Sequence, residues 1–313
     1  MRLKRYTREL AEAVYHIFSR VVDRQFKFDD EVKEEFLTLL WQVATFSGVE
    51  LITYALMTDH FHILVRVHPI WTVVSEEEVL SRIKTLYGAP EMQRVKNKLE
   101  HLREKGDDDA AEALLDTFRA RMNNVSEFMK TLKLRMTIGY NKKHNREGTL
   151  WGGRFNSILL EDDPESRLLQ FVAAYIDLNP VRAGIVGNPR SYRWCGFANA
   201  KGGGCWAEEG EKGLGTIYGR MPGKALDLYD AFLRGRMAKK GLGKGRKDAS
   251  GPRPLTDILI RNETYIRSRA IGSRAFIFSI AGERPPGGVT EFPGGANGPL
   301  LAVGRLVRAT SRA

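Results

Sequence analysis

The sequence has few cysteines and no long apolar run, and each absence excludes a class of protein. Cys195 and Cys205 are the only cysteines among 313 residues, and their spacing matches no zinc motif. A dense disulfide framework is therefore excluded, and a reduced cytoplasmic protein is the simplest interpretation. No apolar stretch approaches the roughly 20 residues that a membrane-spanning helix requires. The N-terminus is basic but lacks the apolar segment and cleavage site of a signal peptide.

Acidic residues are also too few to balance the basic ones. Lys and Arg number 49 and Asp and Glu 38, giving a formal net charge of +11 and a pI of about 9.6. Such an excess points first to nucleic acid and second to an anionic membrane surface. The hydrophobic content of 42% is sufficient for a sizeable core in one large domain or two.

A run of β-branched and aromatic residues at 56–65 contains two histidines one residue apart. If this run is a strand, His60 and His62 project from the same face, roughly 6.6 Å apart along the backbone. The apolar residues that alternate with them then point to the other face and can pack under helices. Two imidazoles on an open sheet face are a plausible half of a metal site. The alternative is a pair of ordinary surface histidines.

The first 70 residues predict an α+β fold. The expected order is strand, helix, strand, tight connection and strand, over residues 14–20, 29–48, 49–57, 58–59 and about 60–67. This order begins a ferredoxin-like antiparallel sheet with helices on one face. Residues 75–125 are charged and helical in pattern and predict an inserted helical hairpin. It is interpreted as a solvated structural arm, with a DNA-gripping arm as the alternative.

A basic surface is predicted after the insertion. A helix that begins at Ser126 runs into a basic, glycine-containing stretch that carries a tryptophan. Such a stretch suits phosphate contact and base stacking, although a solvated turn with one core tryptophan fits it equally. The candidate DNA-binding residues are Lys130, Lys133, Lys142, Lys143, Arg146, Trp151 and Arg154.

A further helix is expected from the Asp162-Asp163-Pro164 segment to the residue before Pro180. Tyr175 and Asn179 are four residues apart in it and therefore share one helical face. Residues 199–254 are interpreted as a basic, glycine-rich linker with a possible helix at 224–237. Residues 255–313 predict a small, partly disordered C-terminal element, because glycine and proline beyond 281 argue against a packed core.

Four segments together resemble the REP-associated tyrosine transposases of the single-tyrosine HUH transposase superfamily. They are VYHIFSR at 14–20, LMTDHFHILV at 56–65, LWGGRFNS at 150–157 and YIDLNPVRAGIV at 175–186. They occur in the family's order and cover roughly residues 13–198. The chain departs from the family at Thr58-Asp59, where Pro-Asn is common, and at Val21, where glycine is common.

The resemblance implies a metal-dependent enzyme that cuts and rejoins single-stranded hairpin DNA. His60 and His62 would be the metal ligands of the HUH motif, Asn179 the third ligand, and Tyr175 the nucleophile of a 5′-phosphotyrosine intermediate. Tyr140 is a competing tyrosine without the Asn-Pro pattern. The expected cofactor is Mg²⁺ in the cell, with Mn²⁺ active in vitro, and the expected state is a monomer or homodimer in the cytoplasm.

Two alternatives from other functional classes are consistent with parts of the sequence. A domesticated, non-cleaving nucleic-acid-binding protein would use the basic charge without the four site residues. A metal-dependent hydrolase would use the histidine pair to activate water instead of a tyrosine.

Overall fold

The computed structural model describes residues 6, 11–24, 27–203, 206–218, 224–238, 268–281, 289–295 and 298–304. The strands are β1 Ala13–Arg20, β2 Val49–Leu56, β3 His60–Val67, β4 Asn156–Leu160, β5 Ser268–Gly272, β6 Val289–Gly295 and β7 Gly298–Gly304. The N-terminal helices are α1 Asp30–Ser47, α2 Glu76–Tyr87, α3 Ala89–Glu104, α4 Asp108–Arg119 and α5 Val125–Lys143. The later helices are α6 Leu168–Asp177, α7 Asn179–Arg182, α8 Gly196–Gly202, α9 Ala207–Thr216, α10 Ala225–Ala238 and α11 Arg274–Ala281.

The first four strands form the predicted ferredoxin-like arrangement. Their order is β2-β3-β1-β4, and each adjacent pair is antiparallel. Asp29 accepts a hydrogen bond from the Val32 N–H at the start of α1, and Gly48 ends that helix in the left-handed conformation. Both boundaries of α1 therefore agree with the sequence prediction, as does the tight connection between β2 and β3.

Helices cover both faces of the sheet, where one covered face was predicted. Tyr15, Ile17 and Phe61 lie in a core cluster with residues of α1, α5 and the inserted helices. Val14 and Leu64, which alternate with them, lie in a second cluster with residues of α6, α8, α9 and α10. Period-2 alternation with apolar residues on both sides is the pattern of a strand buried on both faces. The α+β class and the mostly antiparallel sheet are confirmed.

The insertion differs from the predicted solvated hairpin in two ways. It contains three helices, α2 to α4, because Gly88 ends α2 and Pro90 occupies the first turn of α3. Its apolar positions are also buried in the main core, as Ile83, Leu99 and Leu115 illustrate. The charged residues that suggested a solvated arm lie on the outer faces of these helices.

Residues near the C-terminus extend the same sheet. β5 pairs in parallel with β4, β7 pairs with β5, and β6 forms the edge of the described sheet, in the order β4-β5-β7-β6. Leu300, Leu301, Ala302 and Val303 are buried, so the prediction that no packed core follows residue 281 is wrong for β7. The basic run at 239–253 and the final residues, 305–313, lie outside the described residues.

Close packing on the second face depends on glycine. A Cβ atom at Gly213 in α9 would lie 2.0 Å from the carbonyl oxygen of Leu51 in β2. Only glycine permits this approach of helix to strand. Among the helices of the described ranges, none has the length and apolar character needed to cross a membrane.

Candidate active site

The two histidines of β3 lie on the sheet face that α6 covers. In the register with β1, His62 lies opposite Phe18 and His60 lies opposite Arg20. The two imidazole rings are 5.3 Å apart between centroids and almost perpendicular. The predicted common face is therefore confirmed. The face is not open, however, because His62 is only 5% exposed.

Helix α6 places Tyr175 against these histidines. The helix begins at Leu168, four residues after Pro164, because residues 164–167 form a turn that ends with Arg167 in the left-handed conformation. Tyr175 lies on the face of α6 that packs on the sheet, and its ring centroid is 5.7 Å from that of His62. The side chains of His62 and Tyr175, which are 113 positions apart in the sequence, are thus in contact distance.

Each imidazole of the histidine pair is oriented by a protein group at Nδ1. The Nδ1 atom of His62 is 2.9 Å from Nε2 of His16 on β1. The Nδ1 atom of His60 is 2.5 Å from Oδ1 of Asp59, and the other carboxylate oxygen, Oδ2, is 3.9 Å from Nε of Arg20. In both rings Nδ1 is thus engaged by the protein, which leaves Nε2 as the nitrogen that could face a cation.

Burial keeps these imidazoles neutral near pH 7. It lowers the pKa of His16 to about 3. It also lowers the pKa of His62 well below its ordinary value, with a further contribution from nearby positive groups that include Arg182. The pKa of His60 is lowered by burial and partly restored by the Asp59 carboxylate. Neutral imidazole is the form that binds metal ions.

Asn179 follows Tyr175 by one helical turn. Proline does not simply end the helix there, as the sequence predicted: α6 ends at Asp177, and Pro180 lies in the first turn of the short helix α7. The side-chain Nδ2 of Asn179 donates to the carbonyl oxygen of Tyr175 over 3.2 Å. This bond turns the amide so that Oδ1 is the atom available for a ligand role.

The candidate ligands have chemistry suited to a divalent cation. They are two neutral imidazoles with Nδ1 engaged and, in the neighbouring helix α7, the amide oxygen of Asn179. Across the described ranges, no group of three or more His, Cys, Asp or Glu side chains could hold a metal ion. The amide oxygen of Asn179 stays a candidate for a third ligand. Imidazole suits metals such as Mn²⁺ better than it suits Mg²⁺, which prefers oxygen ligands.

Arg182 adds positive charge beside the tyrosine, and the sequence analysis did not single it out. Its guanidinium carbon lies 4.6 Å from the ring centroid of Tyr175. The same charge contributes to the low pKa of His62, so it acts on both the candidate nucleophile and a candidate ligand. Arg182 is seven residues after Tyr175, and that two-turn spacing was the available signal.

Asp177 anchors α6, the helix that carries Tyr175, to the sheet and to α10. Its carboxylate is fully buried and accepts hydrogen bonds from Thr53 Oγ1 at 2.9 Å, the Phe197 N–H at 3.1 Å and Tyr229 OH at 2.6 Å. Burial raises the pKa of Asp177 to about 6, and these hydrogen bonds oppose that rise. The position of α6, and hence of Tyr175, is fixed by this carboxylate as well as by apolar packing.

Trp151 is a core residue, which supports the structural alternative over base stacking. It is 5% exposed, and its Nε1 donates to the Lys133 carbonyl oxygen and the Thr137 hydroxyl. Its ring makes edge contacts with Phe61 and with two phenylalanines of the first core cluster. A base cannot stack on a ring enclosed in this way.

The predicted basic residues remain near the surface, but most already have protein partners. Lys130 pairs with Glu127, and Lys143 pairs with two glutamates of α1. The ammonium of Lys133 donates to the Gly153 carbonyl oxygen, and burial lowers its pKa to about 8. Arg146 bonds the Asn141 side chain, while Lys142 and Arg154 are exposed. A DNA-binding role for these residues stays a prediction.

Comparison with known proteins finds a similarity in the N-terminal part of the chain. Residues 9–106 match the family model described as "Transposase IS200 like", which confirms the resemblance to transposases over that range. The matched range contains β1 and both histidines of β3 and ends before Tyr175. A similar solved structure is a REP-associated tyrosine transposase bound to a REP hairpin, with a TM-score of 0.39 and 11% identity over 64% of this chain and 87% of that one. No curated protein matches the chain.

Proposed function

We propose that this chain, which carries an IS200-like transposase domain over residues 9–106, cuts and rejoins single-stranded DNA through a covalent bond to Tyr175. The observation that carries the proposal is the contact between Tyr175 and His62, whose ring centroids are 5.7 Å apart. The match to the family ends before Tyr175, so the assignment of Tyr175 as nucleophile is supported by this tertiary contact and not by that match.

In the proposed step the Tyr175 hydroxyl attacks the scissile phosphorus. A bond forms between the phenolic oxygen and phosphorus, and the bond from phosphorus to the 3′ oxygen breaks. The phenol loses its proton, and the leaving 3′ oxygen takes one up to become a 3′-OH. The phosphotyrosine linkage is itself a phosphodiester, so a 3′-OH can attack it in reverse and rejoin strands without ATP.

His60, His62 and Oδ1 of Asn179 are the residues that would hold a divalent cation, whose charge would polarise the scissile phosphate. The chain's own residues prepare for that role. Asp59 and His16 contact Nδ1 of the two imidazoles, and burial keeps the imidazoles neutral. Arg182 supplies a fixed positive charge beside the tyrosine, where negative charge develops during the displacement.

The proposed substrate is hairpin DNA with single-stranded flanks. The net charge of +11 supports an affinity dominated by phosphate contacts, which would fall steeply with salt. Lys142 and Arg154 are exposed and are the first candidates for phosphate contact, because the other candidate basic side chains already contact protein groups. A cytoplasmic location and a monomeric or homodimeric state are parts of the same proposal.

The test is covalent trapping on a denaturing gel. Labelled single-stranded hairpin DNA is incubated with the full chain and Mn²⁺, and Tyr175→Phe is compared with Tyr140→Phe as the matched control. We expect a protein–DNA adduct with the wild type and with Tyr140→Phe, and none with Tyr175→Phe.

The other outcomes distinguish the alternatives. An adduct that survives in Tyr175→Phe would assign the nucleophile to another residue. Cleavage without any adduct would indicate a hydrolase that activates water. Binding of hairpin DNA with neither cleavage nor adduct would indicate a domesticated binding protein.

A further inference from the structure

A third histidine, His16, lies behind the candidate metal ligands and takes no part in the proposed displacement at phosphorus. It is fully buried on β1, and its Nε2 is 2.9 Å from Nδ1 of His62. The two rings are roughly stacked, with centroids 5.1 Å apart, and the His16 ring also meets the edge of the Tyr175 ring at 5.9 Å. His16 therefore contacts both a candidate ligand and the candidate nucleophile.

The neighbours of His16 in the sheet are apolar. It lies opposite Leu64 of β3 and Ile158 of β4, and Val14 precedes it on the same face. These residues belong to the second core cluster, in which an aliphatic side chain would satisfy packing. Burying an imidazole in such a layer is unfavourable unless it makes a hydrogen bond, and His16 makes one with His62.

The direction of that hydrogen bond decides whether His62 can bind a cation. A bond between two neutral imidazoles needs an N–H on one nitrogen and a lone pair on the other. When His62 donates from Nδ1, its Nε2 carries a lone pair that can coordinate a cation. When His16 donates instead, the proton of His62 lies on Nε2 and blocks coordination.

We propose that His16 is a positioning residue that accepts a hydrogen bond from His62 and thereby fixes the tautomer and orientation required for metal binding. This inference rests on the proposed function, because it assigns a task to His16 within the same site. It requires that His16 carry its own proton on Nδ1. His16 would do for His62 what Asp59 does for His60, with a neutral acceptor in place of a carboxylate.

The first experiment measures Mn²⁺ affinity of the full chain without DNA, by titration calorimetry or by EPR of free Mn²⁺. His16→Leu removes the acceptor, His16→Gln can retain one through its amide oxygen, and His144→Leu is the matched control at an exposed histidine. We expect Kd to rise about 10- to 100-fold in His16→Leu, less in His16→Gln and not at all in His144→Leu. Folding of each variant is checked by near-UV circular dichroism.

The second experiment reads the tautomers directly in the wild-type chain. Nitrogen-15 NMR of labelled histidines should show His16 and His62 both protonated at Nδ1. This measurement does not depend on whether His16→Leu folds. A proton on Nε2 of His62 would overturn the proposal, as would unchanged Mn²⁺ affinity in a folded His16→Leu variant.

Failure of the inference is distinguishable from failure of the proposed function. Wild-type adduct formation with DNA, together with an unaltered Kd in folded His16→Leu, would refute only the role of His16. Mn²⁺ binding that is unaffected by His60→Ala and His62→Ala would refute the metal site itself, and the role of His16 with it.

Discussion

The hydrogen bond from Tyr229 to Asp177 gives a quantitative prediction for the stability of the site. Tyr229→Phe removes one hydroxyl from a fully buried position and leaves the ring in place. The hydroxyl donates over 2.6 Å to a carboxylate, and hydrogen bonds to charged groups contribute about 1.5–3 kcal/mol. We therefore expect Tyr229→Phe to lower the free energy of unfolding by about 1.5–3 kcal/mol at pH 7.5.

The same reasoning predicts a dependence on pH. Since the native pKa of Asp177, about 6, exceeds its ordinary value of 3.8, the native state binds more protons between these values. The stability that this group contributes is therefore present below about pH 4 and is lost as the pH rises to about 6. At pH 5 the carboxyl is roughly nine-tenths protonated, so the cost of Tyr229→Phe should fall toward the roughly 0.5–1.5 kcal/mol of a neutral hydrogen bond.

Tyr218→Phe is the matched control for this prediction. Tyr218 lies beside Tyr229, but its buried hydroxyl has no hydrogen-bond partner within the ranges the structure describes. Its removal should cost little at either pH. The assay is urea unfolding followed by circular dichroism at pH 7.5 and pH 5. Equal losses in the two variants, or a loss in Tyr229→Phe that does not change with pH, would refute the assignment of the stabilisation to the charged hydrogen bond.

Three further predictions concern packing and catalysis. Gly213→Ala would place Cβ 2.0 Å from the Leu51 carbonyl oxygen and should destabilise the chain. Gly139→Ala in α5 would place Cβ with no atom within 4 Å and should stabilise the chain by about 0.5–1 kcal/mol. Urea unfolding measures both changes. Trp151→Phe should lower stability by about 1–3 kcal/mol without weakening hairpin DNA binding of the folded protein, and a selective loss of DNA affinity would contradict the core assignment. Arg182→Ala should slow adduct formation about 100-fold at saturating DNA and Mn²⁺, with partial recovery in Arg182→Lys, and equal rates in all three proteins would exclude a role in the displacement.

Much of the first half of the fold could be predicted because its signals are local. Asp29 and Gly48 limit α1 through hydrogen bonds within a few residues, and alternation in β3 assigns His60 and His62 to one face. The hairpin of β6 and β7 was not predicted, because its local signals are weak. β6 and β7 contain several glycines and two prolines, so their local preference is weak. Pairing of β7 with β5 is what buries Leu301 and Val303.

The candidate site also has features with local sequence signals and features that depend on contacts between elements. The common face of the histidine pair is a property of one strand, and the four-residue spacing of Tyr175 and Asn179 is a property of the sequence, although the two residues lie in successive helices. The burial of Trp151, the contacts of His16 and Arg182, and the anchoring of Asp177 were decided only by the tertiary structure. Each of these features joins residues from separate elements. Whether a polar side chain meets solvent or a buried partner depends on which elements pack together. The periodicity along one segment does not specify that packing.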